Sequence, residues 1–75
     1  MILGKQIKSA RILLCINQDQ LSLEVNIPIA TLRRIENCEV ITSSATTLDK
    51  ILKFFHDRDI IFIDDDIHLG VLLKK

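Results

Sequence analysis

The feature that most constrains the fold is a pair of short amphipathic segments, residues 18–25 and 29–37, with a turn between them. Within each segment the apolar residues recur three or four positions apart, which places them on one face of a helix. Asn26 tolerates the left-handed backbone conformation, and Pro28 suits the start of a helix. The pattern predicts two short helices joined by a tight turn. Their inward-facing residues are Leu21, Val25, Leu32 and Ile35.

Other segments complete a single predicted domain, residues 1–75. Ile7 and Ala10 are helically spaced in an amphipathic first helix, and Asn17 is a good N-cap for the second. After His56 the chain becomes β-branched and aromatic at residues 60–63, which is typical of a strand. We therefore expect a mainly α fold with a C-terminal two-stranded β-hairpin. The predicted helices span about 5–15, 18–25, 29–37 and 45–56, and the strands about 60–63 and 69–73.

Length and charge restrict the partners. A chain of 75 residues, 48% of them apolar, buries a modest core and benefits from association with another chain. Residues 1–56 hold seven basic and five acidic residues, and residues 57–75 hold three basic and five acidic ones. The net charge of zero is thus divided into +2 and −2. A mildly basic helical part precedes an acidic tail.

The longest apolar run, Ile12 to Ile16, is too short to cross a bilayer or to form the core of a secretion signal. We therefore expect a cytoplasmic protein without a membrane partner. Cys15 and Cys38 are too few for a disulfide scaffold and lack a second ligand pair at metal-finger spacing, so both are interpreted as free thiols. No metal and no cofactor is expected.

Residues 17–37, N-Q-D-Q-L-S-L-E-V-N-I-P-I-A-T-L-R-R-I-E-N, resemble the helix-turn-helix of phage repressor and Cro proteins and of the wider xenobiotic-response-element-type regulators. The pattern of that family is Q-x-x-L-A, then G-V-S, then a helix with T-I/L and I-E-N-G. Ser22 replaces the small Ala, Asn26 the turn Gly, and Cys38 the final Gly. The matching residues are Gln18, Leu21, Thr31, Leu32, Ile35, Glu36 and Asn37.

The resemblance covers nearly the whole chain. Residues 6–11 look like the first helix of the family, residues 44–51 look like its S-x-x-T-L-x-K-I fourth helix, and the ending is similar to members that close with a strand pair. It implies a lambda-repressor-like four-helix domain. It also implies a salt bridge between Arg11 and Glu36, whose role is to stabilise the fold rather than to act in a functional site.

The same resemblance assigns contacts with double-stranded DNA. Arg34 is suited to pair with two acceptors of guanine, while Ile29 and Ala30 are suited to touch thymine methyl groups. Ordinary alternatives exist: Arg33 and Arg34 as a solvated cationic face, Gln18 as an exposed helix start, and residues 42–44 as a cap for the fourth helix. The implied base contacts are Ile29, Ala30 and Arg34, and the implied phosphate contacts are Gln18, Arg33, Asn37, Thr42 and Ser43.

Some residues depart from a DNA-binding pattern. Glu39 is an acid where relatives often carry Lys beside the phosphate backbone, and it would weaken DNA affinity. Ile29 offers no hydrogen bond, and Leu23 is an exposed apolar residue by its position. The alternative function is therefore an antitoxin or protein-interaction module of the same fold with weak or no DNA binding, and with a toxin or another protein as its partner.

Enzymatic interpretations lack the necessary residues. A catalytic thiol would need a paired His and Asn, and no phosphate-binding glycine loop exists. The three aspartates at 64–66 near His68 are more typical of a charged hairpin turn than of a cation site. We therefore expect a regulator and not an enzyme. A homodimer is expected because a lone hairpin with apolar faces is unstable, with its interface at Ile61, Ile63, Val71, Leu72 and Leu73.

Overall fold

The computed structural model describes residues 4–38, 45–64 and 69–74. This part of the chain is mainly helical and ends in a small antiparallel sheet. The predicted elements are confirmed, with small shifts at their ends: the first helix is displaced toward the N-terminus and the first strand is one residue longer. The helices are α1 (Gly4–Leu13), α2 (Gln18–Val25), α3 (Ile29–Asn37) and α4 (Ala45–His56), and the strands are β1 (Ile60–Asp64) and β2 (Leu69–Leu73).

Helix α1 ends two residues before the predicted boundary because Cys15 adopts a left-handed conformation, with φ of 58°. The Cys15 N–H donates to Ile12 O at 2.9 Å, and the Ile16 N–H donates to Arg11 O at 3.3 Å. This pair of bonds is the Schellman arrangement that closes the last turn of a helix. It usually uses Gly or Asn, so the sequence carries no local signal for it at Cys15.

Helix α2 ends in the same way, and here the signal is visible. Asn26 has φ of 55° and ψ of 51°, as its place in the turn predicts. Its N–H donates to Leu23 O at 3.3 Å, and the Ile27 N–H donates to Ser22 O at 3.1 Å. Ile27 is buried directly after the turn. The direction in which α3 leaves α2 is thus set by backbone hydrogen bonds and one apolar anchor.

The helices share one apolar core. α3 packs against α1 and α2, and α4 packs against α2 and β1. Phe55 on α4 lies edge-on to Phe54 and to Phe62 of β1, with ring centroids 5.3 Å and 5.8 Å apart. The contact between Phe55 and Phe62 joins the helical part to the hairpin. The largest fully buried side chains are Phe55, Ile7, Leu21, Leu32, Ile35 and Ile51.

The two strands pair in register, with Ile61 opposite Leu72 and Phe62 opposite Val71. Because opposite residues share a face of the sheet, Ile60, Phe62 and Val71 lie on the face that packs against the core. Ile61 and Leu72 lie on the other face, where they are 51% and 53% exposed.

Two residues of α1 join distant parts of the chain. The buried Gln6 side chain donates from Nε2 to Ile63 O and to Gly70 O, each at 3.0 Å, and so attaches the hairpin to α1. Gly4 lies against the carbonyls at the end of α3, and its N–H donates to Cys38 O at 3.2 Å. A Cβ at Gly4 would overlap the Ile35 and Cys38 carbonyl oxygens. α1 is thereby fixed to both α3 and β2.

None of the helices in the described ranges is long and apolar enough to pass through a membrane.

Candidate nucleic-acid interface

The outer face of α3 is a polar, cationic surface. Ala30, Arg33, Arg34 and Asn37 are all exposed, and their spacing of three and four residues aligns them along one side of the helix. Ile29, at the start of the helix, is half-buried. The residues predicted to contact DNA from α3 therefore lie on a common side.

The opposite side of α3 is held by the core. Leu32, Ile35 and Glu36 are buried and face α1 and α2. A short helix that is buried on one side and exposed on the other presents its outer side chains on a rigid support. This is the geometry required of a helix that binds a groove, since its outer side chains must be accessible while its backbone is held in place.

Glu36 is the centre of a buried polar network. Arg11 donates from Nε to Glu36 Oε2 at 2.9 Å and from Nη2 to Glu36 Oε1 at 3.1 Å, which makes the pair bidentate. The side chains of Arg11 and Glu36 are 13% and 1% exposed. Arg11 also donates from Nη1 to Ile16 O at 3.0 Å. The contact expected between Arg11 and Glu36 is present, and it joins α1 to the end of α3.

Gln18 belongs to this network. Its Nε2 donates to Glu36 Oε1 at 3.2 Å, and the residue is half-buried. The sequence predicts either a phosphate contact or an ordinary exposed helix start for Gln18. The side-chain amide instead donates a hydrogen bond within the protein. This bond fixes the first residue of α2 to the end of α3. In the described ranges one of its two amide hydrogens has an acceptor, and the other is available for a further one.

The N-terminus of α2 is closed by a reciprocal cap. Asn17 Oδ1 accepts from the Gln20 N–H at 2.8 Å, and the Asn17 N–H donates to Gln20 Oε1 at 2.8 Å. The N-cap role predicted for Asn17 is confirmed, and Gln20 completes a capping box that the sequence pattern did not reveal. The N–H groups of Gln18 and Asp19 have no acceptor within the helix. They are oriented for an anion, although the Asp19 carboxylate in the same turn opposes one.

Charge on this surface depends on which basic residues are neutralised internally. In the described ranges no ion pair involves Arg33 or Arg34, whereas Arg11 is paired with Glu36 and Arg58 lies 3.8 Å from Glu24. Arg58 also stacks on the Phe54 ring at 3.7 Å from its centroid. The two arginines of α3 are thus the cations of this helix that are available to an outside anion.

Several predicted residues lie outside the part of the chain that the structure describes. Thr42 and Ser43, expected to contact phosphate, fall between residues 38 and 45. Glu39, the acid that would oppose DNA, falls there as well. Of the proposed hairpin turn, Asp65, Asp66 and His68 also lie outside the described ranges.

The five residues predicted to form a dimer interface do not share one face. Ile61 and Leu72 are exposed on the outer face together with the half-buried Ile63, while Val71 and Leu73 lie on the side that carries Ile60 and Phe62. The strand register is responsible, because side chains alternate between faces.

No cluster of three His, Cys, Asp or Glu residues that could hold a metal ion occurs in the ranges 4–38, 45–64 and 69–74. Cys15 is exposed, Cys38 is half-buried, and both are free thiols as expected.

Comparison with known proteins adds no relative: neither a protein-family model nor a curated protein matches this chain.

Proposed function

We propose that this protein is a sequence-specific double-stranded DNA-binding regulator of the lambda-repressor-like helix-turn-helix type, acting in the cytoplasm as a binding protein rather than as an enzyme. The observation that supports this most directly is the division of α3 into a buried side and an exposed side that carries Arg33 and Arg34. In helix-turn-helix proteins the second helix of the pair enters the major groove, and the first crosses the backbone.

Three features support the assignment of α3 to the groove. α2 and α3 are short and are joined by a turn set by Asn26 and Ile27. The Gln18–Glu36 hydrogen bond ties the start of α2 to the end of α3, so the two helices act as one body. Arg33 and Arg34 have no ion pair among the described residues. Arg34 then reads base edges with Ile29 and Ala30, while Arg33, Asn37 and Gln18 approach phosphates.

Dimerisation completes the proposal. A two-fold dimer places two copies of α3 roughly one helical turn of DNA apart, about 34 Å, and such a dimer binds a palindromic operator. A repressor, or the antitoxin of a toxin–antitoxin pair, would use the same surface.

The test begins by selecting bound fragments from a random DNA pool and then titrates a labelled selected duplex by fluorescence anisotropy at several salt concentrations. Affinity should fall steeply with salt, because binding releases counterions from phosphates. Arg33→Ala should reduce the slope by about one. Arg34→Ala should lose roughly 1–3 kcal/mol of discrimination at one base pair. Lys8→Ala removes an exposed charge from α1 and serves as the matched control.

A specific observation favours a second candidate. Leu23 on α2 is 82% exposed, and Ile12 and Leu13 at the end of α1 are also exposed. Apolar side chains in such positions suit a protein partner. If DNA binding is absent or independent of salt, and Arg33→Ala behaves like Lys8→Ala, the interaction module replaces the regulator.

A further inference from the structure

The outer edge of β1 carries unpaired backbone groups. The Lys74 N–H donates to Asp59 O at 2.8 Å, which makes residues 59 and 74 a hydrogen-bonded pair. Such pairs alternate along an antiparallel ladder. Hydrogen bonds to β2 therefore use Ile61 and Ile63, and the N–H and C=O groups of Ile60, Phe62 and Asp64 point away from β2. No described residue outside the hairpin supplies a backbone partner for these groups.

Most of this edge lacks the usual protection against pairing. Edge strands are commonly guarded by charged side chains, Pro, a bulge or a covering element; residues 60–63 have neither a charge nor Pro, and the charged residue of the strand, Asp64, lies at its end. Helix α4 lies beside β1, but an open groove of about 550 Å³ remains between Leu52, Lys53 and His56 on α4 and the first residues of the strand. The opposite edge of the hairpin, beside α1, leaves a groove of only about 140 Å³.

We infer that a second copy of this chain pairs with the outer edge of β1, antiparallel and with Phe62 on the two-fold axis, to form a continuous four-stranded sheet. This inference rests on the dimer of the proposed function and specifies its contact. The outward-pointing groups at 60, 62 and 64 are symmetric about Phe62. Two identical edges can therefore bond at every outward position, with Phe62 opposite Phe62 of the partner subunit and Ile60 opposite Asp64 of the partner subunit.

In this register apolar side chains meet near the axis on both faces, and Ile60 comes opposite Asp64 at the two ends of the pairing. On the core face Phe62 already lies against Phe55, so Phe62 of the partner subunit extends an aromatic cluster. On the outer face Ile61 comes opposite Ile63 of the partner subunit in a close non-hydrogen-bonded pair. The exposed Ile61 is thereby covered by an isoleucine. An identical strand therefore matches the backbone groups at 60, 62 and 64 and pairs apolar side chains at 61, 62 and 63.

In this arrangement strand β1 lies at the dimer interface and strand β2 does not. β2 becomes the outer strand of the four-stranded sheet, so Val71 and Leu73 make no contact across the axis. Leu72 shares the exposed face of Ile61 but lies one strand farther from the partner. A face-to-face packing of two hairpins would instead use Ile61 and Leu72 equally.

A matched pair of substitutions distinguishes these arrangements by sedimentation equilibrium. Ile61→Lys and Leu72→Lys change directly opposite residues of nearly equal exposure. Edge pairing predicts that Ile61→Lys weakens the dimer by more than about threefold and by up to about thirtyfold, because two symmetry-related pairs are lost. Leu72→Lys should change the dimer constant less than about threefold, because it is not at the axis. Equal weakening by both variants would overturn the inference in favour of face-to-face packing.

Disulfide formation tests the register itself. In a chain with Cys15→Ser and Cys38→Ser, Ile61→Cys and Ile63→Cys are made as separate variants. Across the axis, positions 61 and 63 lie about 4.5 Å apart at Cα, within the range that a disulfide can bridge. An equimolar mixture should therefore give crosslinked dimer, and each variant alone should give little. Crosslinking of the single variants, or none in the mixture while circular dichroism shows both folded, contradicts the register.

Failure of this inference and failure of the proposed function give different results. Monomeric wild-type chain that still binds one operator half with a steep salt dependence overturns the β1 pairing and leaves DNA binding intact. A crosslinked dimer of the expected register without salt-dependent DNA binding supports the pairing and removes the regulator.

Discussion

Helix α3 carries charged side chains on two sides, and the two sides differ in burial and in hydrogen bonding. Glu36, on its inner side, is buried and accepts hydrogen bonds from Arg11 and Gln18. Arg33 and Arg34, on its outer side, are exposed and have no ion pair among the described residues.

This difference separates structural charge from available charge. A buried carboxylate is tolerated only when hydrogen bonds and a counter-charge compensate for its lost hydration. Glu36 has both, so its role is satisfied within the protein. Exposed arginines need no internal partner and are free to bind an external anion. The comparison predicts that changes on the inner side affect folding, while changes on the outer side affect binding.

The largest effect is expected for Glu36→Ala. This substitution leaves the Arg11 guanidinium nearly buried without a counter-charge and removes an acceptor from Gln18. Breaking a buried ion pair in this way costs about 3–5 kcal/mol, a large part of the stability of a small domain. Urea unfolding followed by circular dichroism measures the loss.

Glu24→Ala is the control for this change. Glu24 is an exposed acid whose ion pair with Arg58 spans 3.8 Å, so its removal should cost less than about 1 kcal/mol. Similar losses for the two variants would show that the Glu36 network contributes no more than a surface pair.

A smaller loss is expected for Gly4→Ala at the junction of α1 with α3. The added methyl group meets the Ile35 and Cys38 carbonyl oxygens, and these belong to backbone that cannot move aside easily. Overpacking of this kind typically costs about 1–3 kcal/mol. Thermal unfolding measures it. Gly70→Ala is the control, since nothing lies within 4 Å of its added atom. A neutral Gly4→Ala would show that α1 can shift on α3.

Much of the fold could be predicted from local signals. Apolar spacing defined α2, α3 and α4, and Asn17 and Asn26 marked a helix start and a helix end by their own chemistry. The end of α1 could not be predicted, because Cys15 adopts a left-handed conformation that its residue type rarely shows. Its stabilising bonds to Arg11 and Ile12 come from backbone groups.

The candidate site also has features that could be predicted from the sequence and features that could not. Outward positions on α3 follow from helical periodicity, so the exposure of Arg33 and Arg34 could be predicted, whereas their contacts with DNA remain predictions. Two sets of contacts could not be predicted: the hydrogen bond from Gln18 to Glu36, and the hydrogen bonds from Gln6 to the hairpin. Both join residues far apart in the chain through a single amide, and no local pattern encodes such a contact.

The smallest effect is expected for the double variant Arg33→Ala, Arg34→Ala, measured by urea unfolding without DNA. Both side chains are exposed and form no described ion pair, and Ala favours a helix at least as much as Arg does. The free energy of unfolding should therefore change by less than about 0.5 kcal/mol. A loss above about 1 kcal/mol would mean that the outer arginines have partners within the protein, and the contrast with Glu36 would fail. A neutral result together with lost DNA affinity would assign these two charges to binding alone.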